Sequence, residues 1–245
     1  VHDFPAGRLA VWSTAWLTGR TSYDEALEAV TGEQSHRVVG LPDTTGAVPL
    51  GWALTALRGL GETRLRLVLP VPGDLRGMPA VPALTAAALE SGQAAVGTRV
   101  AFVPEPVATD VLSWTAVDLS AAPPPAPPVE GTLRAVSGAL DLAVGDSART
   151  LAGLDLARWN PEVPALLAGL ARTTHAPGLP DDHDQLAASV LGRAQRLARV
   201  LDLALADAPG AAVNHAQAAR RDAALRPLGQ AVREATAAAY NWVPR

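Results

Sequence analysis

Five histidines (His2, His36, His175, His183 and His215) and no cysteine limit the metal and nucleophile chemistry open to this chain. One grouping puts ligand types close together: His175, followed by Asp181-Asp182-His183-Asp184. Imidazole and carboxylate together can hold a divalent ion, which makes His175, Asp181 and His183 the candidate metal ligands. The spacing matches no metal motif, and a simpler reading competes with it. Acids just after Pro180 fall in the first turn of a long helix, where they answer the positive end of its dipole and leave His183 exposed.

A second candidate is the loop Gly73-Asp74-Leu75-Arg76-Gly77 inside the Pro/Gly-rich stretch 70–79. It follows the strongest strand pattern in the chain and precedes a helix. Open α/β sheets collect ligands at the carboxyl ends of strands, and glycines let the backbone approach an anion. Gly73, Asp74, Arg76 and Gly77 are therefore candidate ligands for an anionic small molecule, with Arg76 on the charge and Asp74 on a polar group. The loop lacks G-x-G-x-x-G, and a chain without lysine cannot carry the phosphate loop that ends in G-K-[ST]. A rigid connection is the competing reading. No G-x-S-x-G occurs, and Ser13, Ser113 and Ser189 have no base partner evident in sequence. No two carboxylates stand out as a catalytic pair. No cofactor is indicated, and the alternative to a non-catalytic protein is a binder of an anionic small molecule, or an enzyme, that uses the loop 72–79.

The third group is arginine. All 20 cationic side chains are Arg, and Lys and Ile are both absent while Ala, Pro, Gly, Leu and Val dominate. That bias follows G/C-rich codons and points to a bacterium with a GC-rich genome, where an Arg is weaker evidence of bidentate recognition than it is elsewhere. Residues 1–183 hold 12 Arg and 19 acids, whereas residues 184–245 hold 8 Arg and 5 acids. Arg193, Arg196, Arg199, Arg220 and Arg221, with Arg226 and Arg233 beyond them, are candidates for contact with a protein partner. Nucleic acid is the weaker alternative, because the excess of charge is small and no aromatic interleaves with it before Tyr240 and Trp242.

The elements that must position these residues can be read from periodicity. Leu9, Trp12 and Trp16 lie on one side of a helix and read as core, and a second helix starts at a capping box, Ser22 to Glu25. A β run at Arg37–Leu41 and a turn at Asp43–Gly46 lead to a helix striped by Leu50, Leu54 and Leu57. Strands are then expected at Arg64–Leu69, Ala94–Val103 (with a possible interruption at Gly97) and Val111–Leu119, and a helix at Pro82–Glu90. The last two strands are expected to pair antiparallel at one edge of a small mixed sheet of about four strands.

Ala121 to Pro128 is proline-rich and marks a linker. The expected domains are therefore a mixed α/β domain at 1–120, a linker at 121–130 and a helical domain at 131–245. Helices are expected at Thr132–Val144, Ala148–Trp159 and Glu162–Arg172. A long antiparallel hairpin follows, with stripes Val190, Ala194, Leu197, Leu201, Leu205 and Leu225, Leu228, Val232, Ala235, Ala239, turned at Asp207–Gly210. Pro227 should kink or split its last helix.

The fold class is thus mixed α/β followed by helices. No run is long and apolar enough for a membrane span, and the N-terminus lacks the pattern of a secretory signal, so a cytoplasmic protein is expected. Scarcity of reactive groupings favours a non-catalytic protein acting through protein contacts or self-association.

Overall fold

The computed structural model describes residues 4–123, 132–153, 178–206 and 215–243. The chain divides into two compact units. Among the described residues, one holds 4–123 together with 178–183 and 240–243, and the other holds 132–153, 184–206 and 215–239.

The first unit is built on a sheet whose strands are β1 (Ser35–Val39), β2 (Val48–Pro49), β3 (Arg66–Val68), β4 (Ala94–Val96), β5 (Val100–Ala108) and β6 (Val111–Asp118), in the order β2-β1-β6-β5-β4-β3. Only β1 and β6 run parallel. Six strands replace the expected four. The segment 94–103 splits at Gly97 into a hairpin, and Val48–Pro49 adds a two-residue strand too short to show a period. The β5–β6 pair is antiparallel as expected but central, since β1 joins β6 on one side and β4 joins β5 on the other.

The hairpin split has a physical cause at Glu62, which is only 4% exposed. Its carboxylate accepts hydrogen bonds from the backbone N–H groups of Thr98 (3.0 Å), Arg99 (2.5 Å) and Val100 (3.2 Å) and from the Thr98 hydroxyl (2.9 Å). A Cβ at Gly97 would collide with this carboxylate, so only glycine fits there. A buried carboxylate is tolerated when its oxygens are satisfied, and here the turn supplies the donors.

Three helices lie on the sheet, α1 (Pro5–Leu17), α3 (Leu50–Gly59) and α4 (Pro82–Ser91), and α2 (Tyr23–Thr31) packs on α1 and α3. Ser22 caps α2 by accepting from Glu25 N–H at 3.1 Å, and Gly92 ends α4 in the left-handed conformation. On one face, Leu84 and Ala88 of α4 pack with Val68, Ala94, Val96, Ala101, Val103 and Leu119. The alternation of strands puts Leu67, Ala95, Phe102, Ala116, Trp114 and Val38 on the other face, all buried. There α1 meets β3 to β5 and α3 meets β1 and β2. Leu50, Leu54 and Leu57 are buried as their stripe predicts, and Trp12 and Trp16 are core, each 7% exposed.

β3 ends the sheet, and its free side is closed by side chains. The Thr14 hydroxyl accepts from Leu65 N–H (3.1 Å) and donates to Leu65 C=O (3.2 Å). Two residues on, the Asn241 amide accepts from Leu67 N–H (2.7 Å) and donates to Leu67 C=O (2.9 Å). Asn241 C=O also accepts from Arg64. The neighbours of Asn241 are seated too: the Tyr240 ring lies 2.9 Å from where a Cβ of Gly7 would be, and Trp242 meets His183 edge-on at 5.1 Å.

In the second unit, α5 (Leu133–Gly153), α6 (Gln185–Ala206) and α7 (His215–Tyr240) are described, α7 lending its last residue to the first unit. α5 runs through 145–147, where a break was expected, and Ser147 in that stretch donates to Ala224 C=O at 3.2 Å. α7 runs unsplit through Pro227. Its stripe from Leu225 to Ala239 is buried throughout. On α6 the buried set among the described side chains is Ala187, Val190, Leu191, Ala194, Ala198 and Leu201, rotated slightly from the expected stripe. The expected hairpin turn (207–210), linker core (124–128) and helix at 162–172 lie outside the described residues. Among the described residues no helix is long and apolar enough to cross a membrane.

Asn241→Ala strands the N–H and C=O of Leu67 without partners and is expected to cost about 2–4 kcal/mol in urea denaturation. Glu62→Ala, which orphans three backbone donors at the 98–100 turn, should lose a similar amount, about 2–4 kcal/mol, and Glu62→Gln less. A smaller effect belongs to Asp118, whose carboxyl is held below its ordinary 3.8 by the Ser120 N–H, the Ser120 hydroxyl and the charge of Arg99. A depressed value means that its contribution is present above that ordinary value and is lost as pH falls through the folded one; Asp118→Asn should flatten this limb in denaturation curves taken from about pH 5 to pH 2.

Candidate functional site

β1 ends at Val39, and the chain turns at Leu41-Pro42-Asp43-Thr44 before reaching α3. The turn is closed by Thr44, whose N–H (3.2 Å) and hydroxyl (2.8 Å) both donate to Leu41 C=O. Asp43 sits at φ 61°, the only non-glycine residue at positive φ among those described. Such a conformation costs an ordinary side chain energy, and Asp tolerates it better than most.

Between this turn and α3 lies an open cleft of about 650 Å³. Tyr23, Leu41, Asp43, Trp52 and Thr55 are among the residues that line it. Trp52 is 63% exposed because it projects off the Leu50, Leu54, Leu57 stripe that packs α3 on the sheet. Tyr23 is held from behind: its ring meets Trp16 edge-on at 5.7 Å, and the Arg58 guanidinium lies 4.3 Å over the Trp16 ring. The close approach of α2 to α3 is set at Gly51, where a Cβ would collide with the Tyr23 hydroxyl. The result is a concave, partly aromatic surface at the carboxyl end of a parallel strand, with the Asp43 carboxylate as its one full charge.

The residues singled out in the sequence fall elsewhere. In the 70–79 loop, Val71-Pro72-Gly73-Asp74 is a tight turn with backbone bonds of 3.1 and 2.9 Å between Val71 and Asp74 and with Gly73 at φ 86°. Asp74 and Arg76 come together but on each other, since Nε and Nη2 of Arg76 each donate to the Asp74 carboxylate at 2.8 Å. Gly77 also has positive φ, with Val68 beneath it. That fork of Arg76 is the one an anion would need.

Of the metal candidates, His175 lies outside the described residues. Asp181 is exposed, and both carboxylate oxygens of its neighbour Asp182 accept from Nη1 of Arg20, at 2.9 and 3.0 Å. His183 is 8% exposed, so the expectation that it is exposed is corrected: Trp242, more than fifty residues on, covers it. Asp184 does the helix-capping work, accepting from Ala187 N–H at 3.0 Å. No three His, Asp or Glu among the described residues are grouped to hold a metal.

Of the arginines, Arg193 pairs with Asp141 of α5, while Arg196 and Arg199 are half-buried along α6. Arg220 and Arg221 lie on α7, and their side chains fall outside the described residues.

Trp52 and Asp43 were not singled out in the sequence. The available signal was a tryptophan displaced from a clean leucine stripe, just after a Pro-Asp turn.

Comparison with known proteins gives a family but no activity. The chain is 29% identical over 280 aligned positions to "Uncharacterized protein Rv1486c" of Mycobacterium tuberculosis strain H37Rv, covering 97% of this chain and 96% of the relative. Identity and coverage are the same for "Uncharacterized protein MT1533" of strain CDC 1551. No solved structure gives a significant match. With the family's N-terminal domain matched at residues 6–130 and its C-terminal domain at residues 134–237, the chain belongs to the Rv1486c-like proteins.

Proposed function

We propose that this chain is a non-catalytic bacterial protein of the cytoplasm that acts by holding a protein partner in the Trp52 cleft. The observation that carries this reading is the indole of Trp52, 63% exposed on the wall of a cleft of about 650 Å³. Tryptophan is the residue type most often found to dominate the energy of a protein contact, and a concave setting lets it bury most of its area.

The sheet supports the reading by elimination. A partner strand could add to an open sheet edge, but β3 is occupied by Thr14 and Asn241, and the opposite edge is the two-residue β2, which contains Pro49. Side-chain recognition in the cleft fits a unit whose two outermost strands are closed or short.

A photo-crosslinking residue placed at Thr55 is expected to trap a protein in the source bacterium, and Trp52→Ala is expected to abolish the product. Trp52→Ala should leave stability within about 0.5 kcal/mol, because the ring is mostly in solvent. A product of twice the chain's mass would identify the partner as a second copy. Equal trapping with and without Trp52 would overturn the assignment of the site.

A further inference from the structure

We infer that the segment received by the cleft is anchored by an arginine, whose guanidinium stacks on Trp52 and is neutralised by Asp43. The inference rests on the binding role proposed for this cleft and adds the chemistry of its occupant.

Charge is the first ground. Asp43 lines the cleft, and α2, which supplies the Tyr23 wall, carries Asp24, Glu25 and Glu28, all exposed. The nearest cation on α3, Arg58, has its guanidinium over the Trp16 ring. A cleft whose one charged lining residue is an aspartate disfavours a carboxylate or phosphate and attracts a cation.

The second ground is the chemistry of the wall. An exposed indole and a carboxylate that line the same cleft can recognise an organic cation together: the ring quadrupole attracts the charge, and the carboxylate supplies the counter-charge. Asp43 is held at φ 61° by the turn that Thr44 closes on Leu41, so its position does not depend on the occupant.

The third ground selects arginine. A guanidinium is planar and weakly hydrated, so it stacks on an indole while its edge donates to a carboxylate, which an ammonium cannot do as well.

The test uses the full chain and two short blocked peptides, acetyl-Gly-Arg-Gly-amide and its citrulline counterpart, which has the same shape without the charge. The readout is the indole N–H resonance of Trp52, assigned by its loss in Trp52→Phe. The arginine peptide is expected to shift this resonance saturably, at least about tenfold more tightly than the citrulline peptide, and Asp43→Asn should bring the two together. Equal binding of both peptides at Trp52 would overturn the arginine anchor while leaving the cleft as a binding site. No shift of Trp52 with the arginine peptide up to about 20 mM, or shifts confined to other tryptophans, would overturn it together with the site.

Discussion

Leu65 and Leu67 turn their backbone N–H and C=O groups to the open side of the last strand, and nothing in the sheet takes them. A buried amide left without a partner costs more than most single contacts return, so this edge must be closed from outside. Thr14 and Asn241 close it, one residue from the first helix and one from the end of the last, each acting as donor and acceptor at a single strand residue. Between them they do what a further strand would do, with far less chain. The arrangement ties residues 227 positions apart in sequence to the same strand and gives the segment Tyr240-Asn241-Trp242 its place beside Phe4, Gly7 and His183.

Edge closure and recognition are linked through this constraint. A sheet with a free edge invites another strand, whether from a partner or from a misfolded copy. Side-chain caps on one edge and a two-residue, proline-bearing strand on the other leave little backbone to offer. In the proposed reading, recognition by the sheet-bearing unit rests on side chains, and the Trp52 cleft is lined by an aromatic ring and a carboxylate. Glu62 serves the fold in a similar way: it gives a carboxylate to the backbone of the β4–β5 turn and is consumed by doing so.

What the sequence made legible was local. The N-cap at Ser22, the stripe Leu50-Leu54-Leu57 and the stripe from Leu225 to Ala239 all rest on spacings within one element, and each appears as expected. The departures come from interactions that carry no period. β2 is two residues long, too short to alternate. Whether the β5–β6 pair lies at the centre or the edge depends on β1, which joins β6 across more than seventy residues of sequence. His183 looked exposed because the residue that covers it, Trp242, belongs to a different part of the chain. The cleft was hidden for the same reason: Tyr23, Asp43 and Trp52 belong to three separate elements, and only the packing of α2 against α3 at Gly51 brings them together.

The most direct measurement is native-state hydrogen exchange of the Leu65 and Leu67 amides. Both are expected to be protected to the same degree as Arg66 and Val68, which alternate with them along the strand and face β4. Exchange of Leu65 and Leu67 at the rate of an open edge, with Arg66 and Val68 still protected, would show that Thr14 and Asn241 do not close the sheet, and the elimination that leads to the Trp52 cleft would fall with it.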